Sequence, residues 1–186
     1  TFLAQGDMEQ ARRYLQEYTH SNETALHQAL QFCPNLTADS VLSYYHGLIV
    51  QEKAGFAFHG TIPELEEIQD VDLSAMLGNL LENALEAVRS QKQGERFVHL
   101  HADMVSNKLV LHMENSFSGQ IHQKGQQFYS SKHSGMGIGT ESISMIARKY
   151  GGFADFSVEN GVFHSRIFIP IPSAKTPESM KKASHS

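Results

Sequence analysis

Hydrophobic and polar residues along positions 72–88 follow a pattern that predicts one helix with two distinct faces. Apolar side chains recur at the three- and four-residue spacing of a buried helical stripe: Leu73, Met76, Leu77, Leu80, Leu81, Ala84, Leu85 and Val88. At about 100° per residue, four polar side chains fall together on the other side of the helix: Asn79, Glu82, Asn83 and Glu86. A solvated surface is the usual explanation of such a stripe. Asparagine is a poor helix former, so two asparagines one turn apart favour a polar binding site instead.

The remaining pattern predicts further helices and strands in alternation. Residues 1–30 carry an apolar helical stripe that is long for a free surface helix, so it requires a partner helix. A second helix is expected to begin with a cap at Thr37 or Asp39 and to end at Gly55. Strands are expected over 56–62, 96–104 and 108–114, then a helix from Thr140 to Gly151 and a closing hairpin of 153–158 with 161–169. This order predicts a mixed sheet with helices packed on one face.

A polar segment and a glycine-rich turn separate the third strand from the last helix. Residues 115–133 are rich in Ser, Gly, Gln, His and Lys, and a loop of this length in a compact domain is typical of a lid or a binding loop. It leads to Gly135, Gly137 and Gly139, which precede the helix and can present backbone N–H groups to an anion. The turn lacks the lysine of a P-loop and follows no strand, so it is neither a Walker nor a Rossmann motif. A flexible hinge explains the glycines equally well.

Composition and charge narrow the class of protein. With 186 residues, 40% of them hydrophobic, the chain is long enough for one domain with a real core. A net charge of −5 with scattered basic residues excludes a nucleic-acid footprint, so no nucleic-acid partner is expected. The single cysteine, Cys33, excludes a disulfide within the chain and fits a reducing compartment. No apolar run reaches the roughly 20 residues of a membrane span, and residues 1–3 do not resemble a signal peptide, so we expect a cytoplasmic piece of a larger protein.

The chain contains eleven histidines, which are dispersed and share no helical metal spacing. His99, His101 and His112 would lie close on neighbouring strands, but this pattern gives a metal site little support. No metal site is therefore assigned to them.

The motifs taken together resemble a known family. The chain contains, in this order, the helix of residues 72–88 with its two asparagines (the asparagine helix), a strand ending in Asn115, a long polar lid, a glycine turn and a further helix. This order resembles that of the ATP-binding domain shared by gyrase B, the heat-shock chaperone, histidine kinases and MutL. Together these proteins form the GHKL superfamily. The resemblance covers roughly residues 38–172. It is strongest to sensor histidine kinases that respond to peptide signals, in the helix Gly78 to Ala87 and in residues 128–132 and 150–152. It implies a two-layer α/β sandwich, the Bergerat ATP-binding fold, with a mixed sheet, helices on one face and an additional N-terminal helix.

The resemblance also implies ligands, ATP and Mg²⁺, and the residues that hold them. Asn83 matches the asparagine that binds Mg²⁺ through its side-chain oxygen, with Asn79 assisting at the phosphates. Asn115 stands where the family pattern Asp-x-Gly-x-Gly places the carboxylate that binds adenine, and Gly119 matches a glycine of that pattern. Phe117 stands where the pattern has its first glycine, so the chain departs from the family at this position.

The second glycine motif is matched by Gly135, Gly137 and Gly139, followed by Thr140, and the resemblance implies that it closes over the phosphates. Lys132, just before it, is a candidate to neutralise phosphate charge, although a solvated lysine is an equal alternative. Many histidine kinases carry a basic residue three positions after the magnesium asparagine. In this chain that position is Glu86.

The residue at position 79 indicates whether a GHKL domain hydrolyses ATP or transfers its phosphoryl group to another nucleophile. GHKL enzymes that hydrolyse ATP carry a glutamate there as the general base for water, and Asn79 cannot accept a proton. The sequence therefore predicts that ATP is held for transfer to another nucleophile. Glu82, together with Asn79, is the predicted catalytic pair, with Glu86 as a further candidate base, although a neutral imidazole nucleophile needs little activation.

The resemblance implies a domain organisation and partners. Residues 1–33 are expected to be the remnant of a dimerisation hairpin, 34–172 the ATP-binding domain and 173–186 a disordered tail. Neither His20 nor His27 fits the phosphoacceptor motif, so the acceptor is expected upstream and the fragment should not phosphorylate itself. A homodimer, a response regulator and a membrane sensor region are the implied partners. Two alternatives stay open: a serine kinase of the anti-sigma type, and a non-catalytic nucleotide-sensing or partner-binding module.

Overall fold

The computed structural model describes residues 31–118, 122–124, 127–129 and 138–171. The chain divides into two units, Thr1–Phe32 and Cys33–Ser186, and every helix and strand of the described residues belongs to the second unit. The helix predicted in residues 1–30, most of the glycine turn and the tail predicted from 173 lie outside the described residues.

Three helices and seven strands make up the described fold. The helices are α1 (Leu36–Gln51), α2 (Asp70–Ser90) and α3 (Ile138–Lys149). The strands are β1 (Gly55–Gly60), β2 (Phe97–Met104), β3 (Lys108–Ser116), β4 (His122–Lys124), β5 (Gln127–Tyr129), β6 (Phe153–Glu159) and β7 (Val162–Pro170). This order confirms the predicted alternation of helices and strands.

Five of the strands form one mixed sheet in the order β1-β2-β3-β7-β6. β1 and β2 are parallel, and the other neighbouring pairs are antiparallel. Side chains alternate between the two faces of a strand, and on β3 this alternation buries Leu109, Leu111 and Met113. The helices cover that buried face, which confirms the predicted two-layer α/β sandwich.

Helix α2 lies at the centre of the core. All eight apolar residues predicted for its buried stripe are at most 1% exposed. The stripe packs on α1, on α3 and on the sheet. Because these contacts bury one side of the helix completely, they also fix the direction in which its polar side points.

An interhelical hydrogen-bond cluster, formed by Gln69, Asp72, Lys149 and Tyr150, joins the beginning of α2 to the end of α3. The Tyr150 hydroxyl donates to Asp72 Oδ2 at 2.5 Å and accepts from the Gln69 backbone N–H at 3.0 Å. Lys149 Nζ donates to the same Asp72 oxygen at 2.6 Å. The tyrosine thus satisfies an N–H at a helix start that has no side-chain cap of its own. These hydrogen bonds hold the pKa of Asp72 below its usual value.

Several predicted boundaries were wrong. Helix α1 is capped by Asn35, whose side chain accepts from Ala38 N at 2.9 Å, and not by Thr37 or Asp39. Asp39 is instead buried within the helix, and its carboxylate accepts from the Cys33 backbone N–H. The helix ends at Gln51, before Gly55, which begins β1.

The predicted long loop also begins later than expected and contains structure. Strand β3 continues to Ser116 because β7 pairs with it as far as Val162. Within residues 115–133, β4 and β5 then form a short antiparallel pair. The last hairpin is confirmed, and its turn consists of Asn160 and Gly161, because β6 continues to Glu159. Both turn residues have positive φ, 51° and 77°, as a tight two-residue hairpin turn requires.

Candidate functional site

The polar side of α2 faces the first turn of α3 at Asn83. A Cβ atom on Gly139 would lie 2.8 Å from both Oδ1 and Nδ2 of Asn83, closer than real Cβ contacts. Only glycine therefore fits at position 139 while the Asn83 amide keeps its place. The close approach brings the end of the glycine motif against the asparagine helix.

Asn79 lies one turn before Asn83 and contacts the same helix. Its Nδ2 donates to the Ala75 carbonyl at 2.7 Å and to Ser142 Oγ at 3.2 Å. These two bonds use both hydrogens of the amide, so the carbonyl oxygen is the atom with which Asn79 can meet a ligand. Ser142 was not predicted as part of the site. Its spacing of three residues from Gly139 on one helix face is the signal that identifies it.

Helices α2 and α3 run antiparallel, and this places the beginning of α3 at the two asparagines. The order of contacts is Asp72 with Tyr150, Asn79 with Ser142, and Asn83 with Gly139. A helix of twelve residues presents unpaired N–H groups and a partial positive charge at its first turn. Amide oxygens suit a hard cation, and a helix N-terminus suits a phosphate, so the chemistry of this corner fits a magnesium-bound polyphosphate.

Thr140 also lies in this first turn, where its side chain is half-buried and its carbonyl accepts from Ser144 Oγ at 2.9 Å. Four of the predicted site residues are thus brought together: Asn79, Asn83, Gly139 and Thr140. Four others lie outside the described residues: Gly119, Lys132, Gly135 and Gly137.

The two acidic residues of the polar stripe have different surroundings. Glu82 accepts a hydrogen bond from Tyr45 of α1, and burial together with this bond raises the pKa of Tyr45 to about 12. Glu86 is exposed. Arg89, three residues after Glu86, donates from Nε to Glu52, which caps the end of α1, at 2.9 Å. The arginine therefore extends toward α1 and not toward the start of α3.

Asn115 lies near the end of β3 on the face that the helices cover, and it is 2% exposed. Its neighbours across the sheet are Val98 on β2 and Phe163 on β7. Its Nδ2 donates to the Ser116 carbonyl at 3.1 Å. A neutral amide can be buried here at a much smaller desolvation cost than the carboxylate of the family pattern.

Phe117, which departs from the glycine of that pattern, is held by the last hairpin. Its backbone N–H donates to the Gly161 carbonyl at 2.8 Å, and its ring lies 6.1 Å from the ring of Phe163. The chain therefore leaves β3 along β7, and the extra ring is accommodated by an aromatic contact.

Comparisons with solved structures agree with this architecture. The catalytic domain of the histidine kinase ThkA matches with a TM-score of 0.58 and 20% identity, over 74% of this chain and 93% of that one. The Acinetobacter baumannii histidine kinase AdeS matches with a TM-score of 0.55 and 14% identity, over 92% of this chain and 85% of that one. The histidine kinase domain of the Erythrobacter litoralis EL346 blue-light activated kinase gives 0.54 and 11%, over 73% and 61%. The protein thus has the fold of histidine kinase catalytic domains.

A family model described as the GHKL domain matches residues 68–170, more than half of the chain. The chain belongs to the GHKL family. No curated protein matches its sequence. None of the helices in the described ranges is both long and apolar enough to span a bilayer.

Proposed function

We propose that this chain is the ATP- and Mg²⁺-binding catalytic region of a two-component sensor histidine kinase. The observation that carries the proposal is the contact between the Asn83 amide and Gly139 at the beginning of α3. It puts a side-chain oxygen suited to Mg²⁺ beside a helix N-terminus suited to phosphate. Membership in the GHKL family supports the same function.

In this proposal each element of the site has one task. Asn83 ligates Mg²⁺, which neutralises charge on the phosphates when it is bound. Asn79, fixed by Ser142, lies beside the phosphates with its carbonyl oxygen. Gly135, Gly137 and Gly139 with Thr140 close over them, and Lys132 supplies positive charge from the lid. Asn115 and Gly119 hold the adenine.

The proposed reaction is phosphoryl transfer and not ATP hydrolysis, because residue 79 is an asparagine and not a general base that could activate water. An amide cannot take up a proton, whereas a neutral imidazole can attack the γ-phosphate without a base. Glu82 stays a candidate base, but it would have to give up the hydrogen bond from Tyr45. The fragment itself is proposed to bind nucleotide without phosphorylating itself.

The whole protein is proposed to work with three partners. A second copy would pair through the helical hairpin to which residues 1–33 belong, and residues 34–172 would form the catalytic domain before a tail of 173–186. A response regulator would receive the phosphoryl group, and the histidine kinase ThkA, which shares this fold, is known in complex with the response regulator TrrA. A membrane sensor, of the peptide-responsive type, would precede the cytoplasmic region.

Calorimetry with a non-hydrolysable ATP analogue tests the proposal, with and without Mg²⁺. Asn83→Ala is expected to abolish Mg²⁺-dependent binding, because it removes the metal ligand, whereas Glu86→Ala on the same helix face is the matched control and should have a milder effect. Circular dichroism of both variants checks the fold. Absence of binding at millimolar nucleotide, or equal and small effects of the two substitutions, would refute the assignment.

The two alternatives predict different products. If the protein is a histidine kinase, a longer chain that includes the phosphoacceptor helix should form an acid-labile phosphohistidine. An anti-sigma type kinase would instead form acid-stable phosphoserine on a partner, and a non-catalytic module would bind the analogue without forming either product.

A further inference from the structure

The face of the sheet opposite the helices carries a cluster of metal-ligating side chains on β3 and β7. His112 and Glu114 alternate with the buried residues Leu111 and Met113, so both point to the opposite face. Glu114 is paired directly with His164 of β7 in the sheet register. Two imidazoles and one carboxylate thereby lie together, and His164, which is fifty residues beyond Glu114 in the chain, is adjacent to it in the sheet.

The distances in this His-Glu-His cluster match the edges of a tetrahedral metal site. Glu114 Oε1 lies 3.1 Å from His164 Nδ1 and 3.5 Å from His112 Nε2. Zinc bonds of about 2.0–2.1 Å at tetrahedral angles put neighbouring ligand atoms about 3.4 Å apart. All three ligand atoms lie within 4.8 Å of one another, so one ion can reach all of them.

The two ring nitrogens that face the cluster are poorly satisfied without a ligand. His112 Nε2 and His164 Nδ1 are closed off from solvent and make no hydrogen bond within the part of the chain that the structure describes. Such atoms are rare in proteins because burial without a partner is unfavourable. The two rings also stack, with centroids 5.9 Å apart and planes inclined by 15°, which fixes their orientation.

The charges around the cluster favour a divalent cation. Arg166 lies opposite His112 in the register, but its guanidinium turns to β6, where it contacts Asp155 at 3.3 Å and Ser157 at 3.2 Å. The carboxylate of Glu114 supplies the one negative charge among the three ligands.

We propose that His112, Glu114 and His164 form a Zn²⁺ site that joins β3 to β7, with its fourth position open to water. Two imidazoles and one carboxylate are a zinc ligand set, whereas Mg²⁺ prefers oxygen ligands alone. The site lies on the opposite face of the sheet from Asn83 and is independent of the proposed kinase function.

The site differs from the histidine group considered from sequence, which joined His112 to two residues of β2. His101 pairs with Asp103, its Nε2 lying 2.5 Å from Oδ2, and the ring of His99 packs at 4.7 Å from the ring of Phe97. Neither belongs to the cluster.

Zinc titration of the full chain tests the proposal, by competition with a chromogenic chelator and by thermal unfolding with added ZnCl₂. Glu114→Gln and His164→Ala should each weaken binding of one Zn²⁺ by at least about tenfold. His101→Ala, on the same face but outside the cluster, is the matched control and should bind as the unchanged chain does. Zn²⁺ should raise the unfolding temperature of the unchanged chain and the control, and not that of Glu114→Gln.

Replacement by Co²⁺ gives a second readout, since tetrahedral Co²⁺ absorbs visible light strongly and the two cluster variants should lose this absorption. Circular dichroism in the absence of metal identifies any variant that is misfolded. Histidines outside the cluster can also bind Zn²⁺ or Co²⁺, but they contribute almost equally in every variant. A difference between the cluster variants and the control therefore reports on the cluster. Equal zinc affinity in the cluster variants and the control, or no zinc-dependent rise in the unfolding temperature of the unchanged chain, would overturn the proposal.

Discussion

Replacing Gly139 by alanine should change the free energy of unfolding little but weaken nucleotide binding strongly. The added Cβ would lie 2.8 Å from the Asn83 amide, whereas ordinary contact begins at 3.4 Å, so the amide has to move by about 0.6 Å. Asn83 can move because its amide is the end of a flexible side chain, and a χ angle about 30° off its rotamer costs about 0.5–1.5 kcal/mol. Alanine is a better helix former than glycine by up to about 1 kcal/mol. The two effects offset each other, and the free energy of unfolding should change by less than about 1 kcal/mol.

Nucleotide binding should respond much more strongly to the same substitution. Mg²⁺ requires near-ideal geometry with ligands at about 2.0–2.1 Å. A displacement of about 0.6 Å therefore removes most of the contribution of the Asn83 oxygen to Mg²⁺ binding. We expect the affinity for the Mg²⁺-bound ATP analogue to fall at least about tenfold, equivalent to about 1.4 kcal/mol. Urea unfolding and calorimetry measure the two effects on one preparation.

Gly47→Ala in α1 is the matched control, since a Cβ there meets nothing within 4 Å. It should raise the free energy of unfolding by up to about 1 kcal/mol and leave nucleotide binding unchanged. If Gly139→Ala folds normally and binds Mg²⁺ and nucleotide as tightly as the unchanged chain, Asn83 does not carry the metal and the reasoning fails.

Two further predictions concern stability and reactivity. Asp72→Asn should lower the free energy of unfolding by about 1–2 kcal/mol at pH 7, because Lys149 and Tyr150 both donate to the carboxylate. Since these bonds lower the Asp72 pKa from 3.8, the stabilisation is present above pH 3.8 and disappears as the pH falls through the folded-state value. Urea unfolding at pH 7 and near pH 3 should show the difference between the two chains shrinking, and a constant difference would contradict this. Burial and the nearby Asp39 raise the pKa of Cys33 to about 11, so a thiol reagent at pH 8 should label it slowly in the folded chain and quickly in urea. Equal labelling rates would show that the thiol is accessible.

Periodicity predicted most of the fold because the buried faces of this domain are regular. The apolar stripe of α2 is confirmed at each of its predicted positions, since a helix with one fully buried side must repeat its apolar residues every three to four positions. Boundaries that depend on single hydrogen bonds were harder to predict. Asn35, Thr37 and Asp39 are all suitable N-cap residues. Tertiary contacts distinguish them, since Asn35 donates to the Ile62 and Pro63 carbonyls and the Asp39 carboxylate accepts from the Cys33 N–H.

The asparagine helix and the glycine turn could be identified from sequence, but their contact could not be. Local patterns do not state that Gly139 meets Asn83, because that contact depends on how α2 and α3 pack. The zinc cluster shows the same limit, since Glu114 and His164 are fifty residues apart and only the β3–β7 register brings them together. Periodicity shows which face a strand residue occupies, but it does not identify the residue opposite on the neighbouring strand.

The hydrogen-bond cluster at Asp72 and Tyr150 has a mechanical consequence for the other end of the helix pair. Asp72 and Asn83 are eleven residues apart on α2, about 16 Å along the helix axis. With its far end anchored there, α3 behaves as a rod hinged about 16 Å from Gly139, and a 1 Å displacement at Gly139 tilts its axis by only about 4°. Gly152, just beyond the hinge, lies so close to the Phe168 carbonyl that a Cβ would overlap it, which ties the pivot to the sheet. A displacement of the start of α3 would therefore correspond to a small rotation about this anchored end.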